Sequence, residues 1–239
     1  MGNMDGRFSR IIRFITAESL RLLRKYYSGK TLAKIVKIPD STLSRYANMD
    51  IIPSLDTSLR ILNDLDRERL LEKVLERVVR VDEYGVVNVY SIAYDMGLIS
   101  LAAFRLFKHF HYKNIDVVLT AAANGVPLAT LSAYLLGARL AVAKKEKDPT
   151  VLEVMEETIR NPQPPFITSL FLPKFSLRKN DRVLIVDDLL QSGRTLRGLQ
   201  RFVEKSNASI VGVYALISVG DLWMDSLPRD AETVIVLRR

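Results

Sequence analysis

The 239-residue chain is long enough for one large domain or for a moderate domain with a small companion, and 48% of its residues are apolar, which permits a buried core. It contains no cysteine, which excludes disulfides and thiolate metal sites and is compatible with a reducing cytoplasm. Its longest apolar stretch, residues 125–143, is interrupted by Pro127, Gly137 and Arg139, and no basic, apolar leader opens the chain, so we expect a soluble cytoplasmic protein with no membrane partner.

The formal net charge of +8 is carried mainly by the first third of the chain. Residues 1–80 hold 16 Lys and Arg against 10 Asp and Glu, whereas residues 81–239 hold 19 against 17. A basic module beside a nearly neutral one indicates a polyanionic partner, although a basic surface is also a common route to solubility.

Short helices separated by turns are predicted throughout this basic third. The helical spacing of apolar residues places helices at residues 14–27, 31–36, 40–48 and 57–65. We expect Gly29-Lys30 to end the first helix and residues 37–39 to form a tight turn after the second. Asp40 or Ser41 is the expected cap of the third helix, and residues 51–56 form a break with a fresh cap before the fourth. A helix, a tight turn and a helix in this order predict a helix-turn-helix.

Residues 31–36 and 41–46 resemble the helix-turn-helix of bacterial and archaeal repressors, in which the second helix enters the major groove. The apolar residues expected between the two helices are Ala33, Ile35, Ile38 and Leu43. The resemblance implies that Arg45 makes a bidentate contact to guanine. The residues implied at an interface with double-stranded DNA are Lys30, Lys34, Ser41, Thr42, Ser44, Arg45 and Asn48. The alternative is a small helical cap with a solvated polar face.

The segment that follows predicts a connector. Residues 61–79 form an amphipathic pattern rich in Arg, Glu and Lys, which predicts one continuous helix whose apolar stripe is a connector or the seam of a homodimer. Tyr84-Gly85 is the expected end of the module. The predicted domains are therefore a helix-turn-helix domain at residues 1–65, a connector at 66–84 and a second domain at 85–239. A homodimer would present two helix-turn-helix domains, which we call heads, about one turn of DNA apart, roughly 34–36 Å.

The second domain alternates helices with strands. We predict helices at residues 91–112, 128–136 and 196–203, and strands at 115–119, 138–143, 167–172, 183–186, 210–218 and 234–237. This alternation predicts an α/β fold with a doubly wound parallel sheet, which binds ligands at the carboxyl edge of its strands. Residues 148–165 lack a steady period. Within them, 151–159 are compatible with a helix, and the prolines that follow are typical of a mobile lid.

His109 and His111 are the only histidines in the chain, and they are two residues apart on a predicted helix. Side chains at that spacing point in different directions. We therefore expect surface residues rather than metal ligands, and assign no metal site to the protein itself.

The segment Val183–Leu196, with the sequence VLIVDDLLQSGRTL, is the main candidate for a binding site. A buried strand is followed by two carboxylates, a small-residue turn and the start of a helix, whose unpaired backbone N–H groups and positive dipole end favour a phosphate. Gly193 permits close approach of the backbone, while Ser192 and Thr195 add hydroxyl donors. The two carboxylates suit ribose hydroxyls or the water shell of Mg²⁺. An ordinary strand-to-helix connection with an Asp cap is the alternative.

This segment resembles the phosphoribosyl pyrophosphate loop of the type I phosphoribosyltransferases, in which two acids hold the ribose hydroxyls and small residues hold the 5-phosphate. Residues 115–129 are similar to the pyrophosphate loop of that family, and the lysine run that begins at Lys144 lies where its basic flexible loop begins. The three matches, in the family's order, cover roughly residues 85–220.

The resemblance implies a site for phosphoribosyl pyrophosphate or a nucleotide, with Mg²⁺ bound to the diphosphate. Its members are Asp187, Asp188, Leu190, Gln191, Ser192, Gly193, Arg194, Thr195, Ala122, Ala123, Asn124, Gly125, Lys144, Lys145 and Lys147. The family also has a small hood over the base, and Trp223 belongs either to such a hood or to the core.

Some positions depart from the family's pattern. Gln191 stands where members that use 6-oxopurines carry a carboxylate, and an amide cannot act as a general base. Asn124 stands where orotate and adenine enzymes have Lys or Arg, so a cation for the leaving group is missing. Arg194 replaces a commoner Gly or Lys and adds charge to the phosphate loop. Lys144, Lys145 and Lys147 are an alternative source of contacts to the pyrophosphate. We therefore assign no catalytic residue and expect ligand binding to be better preserved than turnover.

The order of the modules resembles that of the archaeal GfcR-type regulators, which are orotate phosphoribosyltransferase-like proteins with an N-terminal helix-turn-helix. The resemblance implies a dimeric DNA-binding transcription regulator whose affinity for its operator changes when phosphoribosyl pyrophosphate or a nucleotide binds. A catalytically active phosphoribosyltransferase of nucleotide salvage or synthesis is the alternative, and a scaffold with neither activity is a third reading.

Overall fold

A computed structural model describes residues 2–84, 86–162 and 165–239. Two compact units make up the chain, Met1–Leu106 and Phe107–Arg239. Among the described residues, none of the helices combines the length and the apolar character that a membrane crossing needs.

The first unit is helical, as the sequence predicts. Its elements are α1 (Gly2–Leu23), α2 (Gly29–Val36), α3 (Asp40–Ala47), α4 (Leu55–Arg67), α5 (Leu70–Val78) and the single turn α6 (Tyr90–Ala93). Helix α1 packs against α3 and α4, and α2 packs against the same two helices. The core between them is apolar and fully buried, and it includes Ile15, Leu32, Val36, Leu43 and Leu62.

Three details of these helices differ from the prediction. Gly29 and Lys30 begin α2 instead of ending α1, because Ser28 Oγ accepts a hydrogen bond from the backbone N–H of Thr31 (3.1 Å) and caps the helix. Asp40 lies in the first turn of α3, and the cap position is taken by Pro39. The helix predicted over residues 61–79 is broken at Arg69, whose φ of 53° is left-handed.

The apolar contacts within the predicted helix-turn-helix also need correction. Ile38 and Leu43 are buried as expected, but Ala33 and Ile35 are only partly buried. The fully buried residues of α2 are Leu32 and Val36. Ala33 and Ile35 thus flank the buried face of α2 on its two sides.

The helix predicted over residues 91–112 is divided in two. Asp95 lies between α6 and the next helix, α7 (Met96–Phe110), and its Oδ1 accepts hydrogen bonds from the backbone N–H groups of Gly97 (2.9 Å) and Leu98 (3.1 Å). This side chain caps the N-terminus of α7. Helix α7 begins in the first unit and ends in the second, where a 3₁₀ turn, His111–Lys113, follows it.

The second unit contains strands β1 (Val117–Ala121), β2 (Arg139–Ala143), β3 (Val154–Pro162), β4 (Pro165–Pro173), β5 (Arg182–Leu190), β6 (Ser209–Ser218) and β7 (Glu232–Arg238), with helices α8 (Val126–Leu136) and α9 (Arg194–Lys205). Within the described residues, five of these strands form a parallel sheet in the order β2-β1-β5-β6-β7. The predicted α/β fold with a parallel central sheet is confirmed.

One hydrophobic core of the second unit lies between the sheet and α9. Val183 and Ile185 of β5 are buried together with Leu199, Phe202 and Val203 of α9. A continuous run of apolar residues is expected in a central parallel strand, because helices or loops cover both of its faces. The central position of β5 places its carboxyl end beside those of β1 and β6.

Strands β3 and β4 form a separate antiparallel hairpin. The helix predicted for residues 151–159 is therefore wrong, and the strand predicted at 167–172 lies outside the central sheet. The hairpin is attached to α9 by Glu157, which is 5% exposed and forms ion pairs with Arg201 (3.5 Å) and Lys205. Gln163 and Pro164, in the middle of the predicted lid, lie outside the described residues.

Candidate functional site

The two predicted anion loops lie at the same edge of the sheet. Strands β1 and β5 are parallel neighbours, so the loops at their carboxyl ends, residues 122–125 and 191–193, are adjacent. A Cβ atom placed on Gly125 would lie 3.2 Å from Oδ1 of Asp187 and 2.4 Å from Oγ1 of Thr120. Only a glycine fits between those side chains, and its small size allows the two loops to meet.

The acidic pair at the end of β5 has two different environments. Asp187 is 7% exposed, whereas Asp188 is partly exposed, because successive residues of a strand point to opposite faces. The backbone N–H of Asp188 donates to Oδ1 of Asp187 (3.0 Å). Burial, together with the negative charge of Asp188, raises the pKa of Asp187 well above its ordinary value. Asp188 is the more accessible of the two carboxylates for a ligand.

The loop between β5 and α9 encloses a small polar cavity of about 200 Å³, which is lined by Asp187 and residues 189–196. Gly193 occupies the cap position of α9 with φ = 69°, a left-handed conformation that favours glycine. Arg194 Nε donates a hydrogen bond to Ser192 Oγ (2.9 Å). The first turn of α9 faces this cavity, so helix N–H groups, hydroxyls and a guanidinium surround it.

The remaining predicted members of this loop are placed around the cavity as follows. Leu190 is buried, Gln191 is exposed, and Thr195 is partly buried in the first turn of α9. All three line the cavity.

The loop after β1 is compact and carries no cationic side chain. Ala122 donates its backbone N–H to the carbonyl of Ala143 (2.8 Å), and Val126 donates to the carbonyl of Ala123 (3.2 Å). Ala123 is exposed, and Asn124, which is partly buried, is the polar side chain of the loop. Residues 122–125 thus offer backbone groups and one amide to an anion, and α8 begins directly after them.

The lysine run follows β2, at the same edge of the sheet. Lys144, Lys145 and Lys147 are exposed. Lys144 Nζ lies 3.3 Å from the carboxylate of Asp148, and its backbone pairs with Phe171 of the hairpin. Hydrogen bonds from Thr150 and Lys144 lower the pKa of Asp148. The ammonium group of Lys144 is therefore paired with the carboxylate of Asp148.

The predicted DNA-reading residues lie on one side of α3. Ser41, Arg45 and Asn48 are exposed, opposite the buried Leu43 and Ala47. Thr42 and Ser44 are partly buried at the flanks of that face, and Lys30 and Lys34 are exposed on α2. The helices therefore present these polar side chains to solvent.

Trp223 and the histidines are not among the residues that line this cavity. Trp223 is 1% exposed, belongs to the core of the second unit and donates from Nε1 to the carbonyl of Gly220 (2.6 Å), which favours the packing alternative. His109 Nδ1 lies 3.7 Å from the carboxylate of Glu232, and the ring of His111 stacks on Phe107.

Sequence reasoning missed two residues that contact the loop between β5 and α9, residues 191–193, which we call the phosphate loop. Arg197 Nη2 donates to the carbonyl of Ser192 (3.3 Å), and Ser226 lies against Gly193. Arg197 is one helical turn after the loop, so its proximity was predictable from the helix period. Ser226 follows a later strand, and no local pattern marks it.

Comparison with known proteins gives three similarities. Residues 93–234 match the model of a family described as the phosphoribosyl transferase domain. The purine biosynthesis transcriptional repressor PurR of Bacillus subtilis is 29% identical over 201 residues, which are 84% of this chain and 68% of that protein. A xanthine phosphoribosyltransferase of Bacillus mycoides is 32% identical over 151 residues, which are 62% of this chain and 77% of that enzyme.

Among solved structures, an adenine phosphoribosyltransferase from Rhodothermus marinus has the same fold. It superposes with a TM-score of 0.63 at 21% identity, over 71% of this chain and 99% of that chain. The similarity to the repressor covers 201 residues, more than the family match at residues 93–234. The residues outside that match are 1–92 and 235–239, so most of the additional similarity lies in residues 1–92. It must include much of the N-terminal helical unit.

Proposed function

The chain belongs to the phosphoribosyl transferase domain family, and we propose that it is a DNA-binding transcription regulator that senses phosphoribosyl pyrophosphate or a nucleotide. The observation that carries this proposal is the extent of the similarity to a transcriptional repressor, which includes much of the N-terminal unit. The similarity to the xanthine enzyme spans only 62% of this chain. The predicted order of the modules resembles that of the archaeal GfcR-type regulators, and we propose membership of that group.

The DNA-binding part of the proposal rests on the exposed polar face of α3. Arg45 is exposed there, on the face opposite the buried Leu43, as a base-reading side chain requires. Lys30 and Lys34 are exposed on the preceding helix and would contact phosphates. We assign this function to residues 1–65, with 66–84 as the connector and 85–239 as the sensing domain of a cytoplasmic homodimer.

The effector part of the proposal rests on the two adjacent loops of the sheet. The cavity before α9 would hold the 5-phosphate, Asp188 the ribose hydroxyls, and residues 122–125 the diphosphate. The oxygen donors at this edge fit Mg²⁺, which prefers oxygen ligands and keeps several waters. Bound Mg²⁺ would supply charge neutralisation for the diphosphate.

A working phosphoribosyltransferase is the second candidate, favoured by the similarity to a xanthine phosphoribosyltransferase. Turnover would need a cation near the departing pyrophosphate. Residues 122–125 supply none, and Lys144 is paired with Asp148, which leaves the exposed Lys145 and Lys147 as the candidate cations. Gln191, in the cavity, cannot take a proton from a base. We therefore rank sensing above catalysis.

The regulator hypothesis is tested by reciprocal titration. A genomic pull-down identifies the operator, and its affinity is then measured with and without phosphoribosyl pyrophosphate and Mg²⁺. Effector affinity is measured by calorimetry with and without operator DNA. Both affinities should change by the same factor, typically 5- to 150-fold, because coupling between two sites is reciprocal. Equal affinities in the presence and absence of the partner ligand would reject the sensor.

The enzyme hypothesis is tested separately. The protein is incubated with Mg²⁺, phosphoribosyl pyrophosphate and each common nucleobase, including xanthine, and pyrophosphate release is followed. Catalytic turnover with any one base would favour the enzyme hypothesis over the regulator hypothesis.

A further inference from the structure

The phosphate loop is also contacted by a segment that is distant in sequence, the loop after β6. The loop after β6 contains a short 3₁₀ turn, Met224–Ser226, and Ser226 is only 3% exposed although it is polar. A Cβ atom placed on Gly193 would lie 2.1 Å from Ser226 Oγ and 3.1 Å from Trp223 Cα. The backbone of the phosphate loop is therefore in direct contact with the loop after β6.

Arg197 joins the two loops. Its Nη1 donates to Ser226 Oγ (2.6 Å), and its Nη2 donates to the carbonyl of Ser192 (3.3 Å). Gln200, one turn further along α9, donates from Nε2 to the carbonyl of Ser226. A guanidinium has several donors in a fixed plane, so one side chain can hold both acceptors at once.

The loop after β6 is itself anchored in the core, which makes it a firm support. Trp223 is 1% exposed, its indole N–H is bonded to Gly220, and Arg238 of β7 lies over its ring at 5.6 Å. The turn that contains Ser226 is thus anchored in the core through Trp223. Arg197 and Gln200 of α9 also bind Ser226 through hydrogen bonds.

We propose that Arg197 and Ser226 are positioning residues for the phosphate site: together they fix the Ser192–Gly193 turn in the conformation that receives a sugar 5-phosphate. The proposal rests on the proposed ligand function of this loop. Since Ser192 and Gly193 line the cavity, loss of either contact would leave the turn free to adopt other conformations and would weaken phosphate binding. The neighbouring loop at residues 122–125 belongs to a different segment, after β1, and its binding of a diphosphate should be unaffected.

The experiment compares two ligands that address different loops. Ribose 5-phosphate and Mg²⁺-pyrophosphate are titrated by calorimetry into the full chain and into the variants Arg197→Gln, Arg197→Lys and Ser226→Ala. The control variant is Arg201→Gln, which removes a charge one turn further along α9, where the side chain pairs with Glu157 instead. Melting temperatures are measured for every variant.

We expect Arg197→Gln and Ser226→Ala to weaken ribose 5-phosphate binding by about tenfold or more, with pyrophosphate binding unchanged. Arg197→Lys should recover part of the loss, because one ammonium can satisfy one of the two acceptors. The control should bind both ligands as the unaltered chain does.

Two results would overturn the positioning role. One is unchanged ribose 5-phosphate affinity in both folded variants, and the other is an equal loss for both ligands that follows the melting temperature, which indicates general destabilisation. If Ser226→Ala does not fold, the comparison of Arg197→Gln with Arg197→Lys decides. Failure of the unaltered chain to bind either ligand would instead reject the proposed function, and the positioning role with it.

Discussion

Among single residues, the carboxyl group of Asp187 should make the stability of the protein depend on pH. Burial and the charge of Asp188 raise its pKa in the folded chain well above the ordinary value. Between the ordinary carboxyl pKa and this raised pKa, the folded chain keeps a proton that the unfolded chain has released. The contribution of Asp187 to stability is therefore most favourable at low pH and falls as the pH rises through that window.

Asp187→Asn should remove this term. At neutral pH we expect the variant to be more stable than the unaltered chain, by roughly 1–3 kcal/mol, because a neutral amide replaces a buried charge. Thermal unfolding between about pH 4 and pH 8 measures the difference. Asp188→Asn should weaken the pH dependence without abolishing it, because it removes the charge of Asp188 and leaves the burial of Asp187 in place. Parallel pH profiles for Asp187→Asn and the unaltered chain would contradict the prediction.

Arg45 and Lys34 should have different effects on DNA binding. Arg45→Ala is expected to cost roughly 1–3 kcal/mol at the operator and to relax discrimination at the base pair that it reads. Lys34→Ala should weaken operator and random DNA alike and should lower the salt dependence of binding. Affinities for both DNAs at several salt concentrations separate the two cases. Identical losses on both DNAs for Arg45→Ala would show that it contacts only phosphate.

The sequence predicted the local chemistry of the candidate site better than its tertiary contacts. Asp187, Asp188 and the small-residue turn were predictable, because a strand, an acidic pair and a helix start follow one another in the chain. The burial of Asp187 under Gly125 and the pairing of Arg197 with Ser226 were not, because they join segments that are far apart in sequence.

Among the elements, the β3–β4 hairpin should depend on its attachment to α9 through Glu157. The carboxylate is 5% exposed, and its partners Arg201 and Lys205 are about half exposed. Glu157→Gln should destabilise the second unit by roughly 1–3 kcal/mol, since a neutral amide binds the positively charged side chains of Arg201 and Lys205 less strongly than a carboxylate does. Thermal unfolding gives the loss, and limited proteolysis should show faster cleavage in the hairpin. Glu153→Gln, at a 75% exposed side chain, should change neither readout.

The elements that the sequence predicted wrongly were decided by contacts outside the local pattern. Residues 154–159 are compatible with a helix or a strand, and the pairing with β4 together with the packing of Ile159 near Gly198 selects the strand. Arg69 is an ordinary helix former, and nothing local marks its left-handed conformation. The central strand β5 was predictable because a buried parallel strand is apolar throughout.

For the whole molecule, the uneven charge distribution has a consequence for assembly. The first third of the chain holds most of the net charge of +8, so one copy supplies one basic head. A single short recognition helix contacts only a few base pairs, and two heads related by twofold symmetry double the contact area. We therefore expect a homodimer on an operator with two symmetric half-sites.

The spacing of those half-sites gives a test of this assembly. Their centres should lie about one turn of DNA apart, roughly 34–36 Å, or a multiple of that distance. Inserting five base pairs between them turns one half-site to the opposite face of the duplex, so we expect affinity to fall by about tenfold or more, equivalent to at least about 1.4 kcal/mol. Inserting a full turn of ten base pairs should restore part of the affinity if the connector between the heads can extend. Equal affinity for the original operator and the five-base-pair insertion would show that the heads bind independently, and a single half-site of undiminished affinity would show that one copy is sufficient.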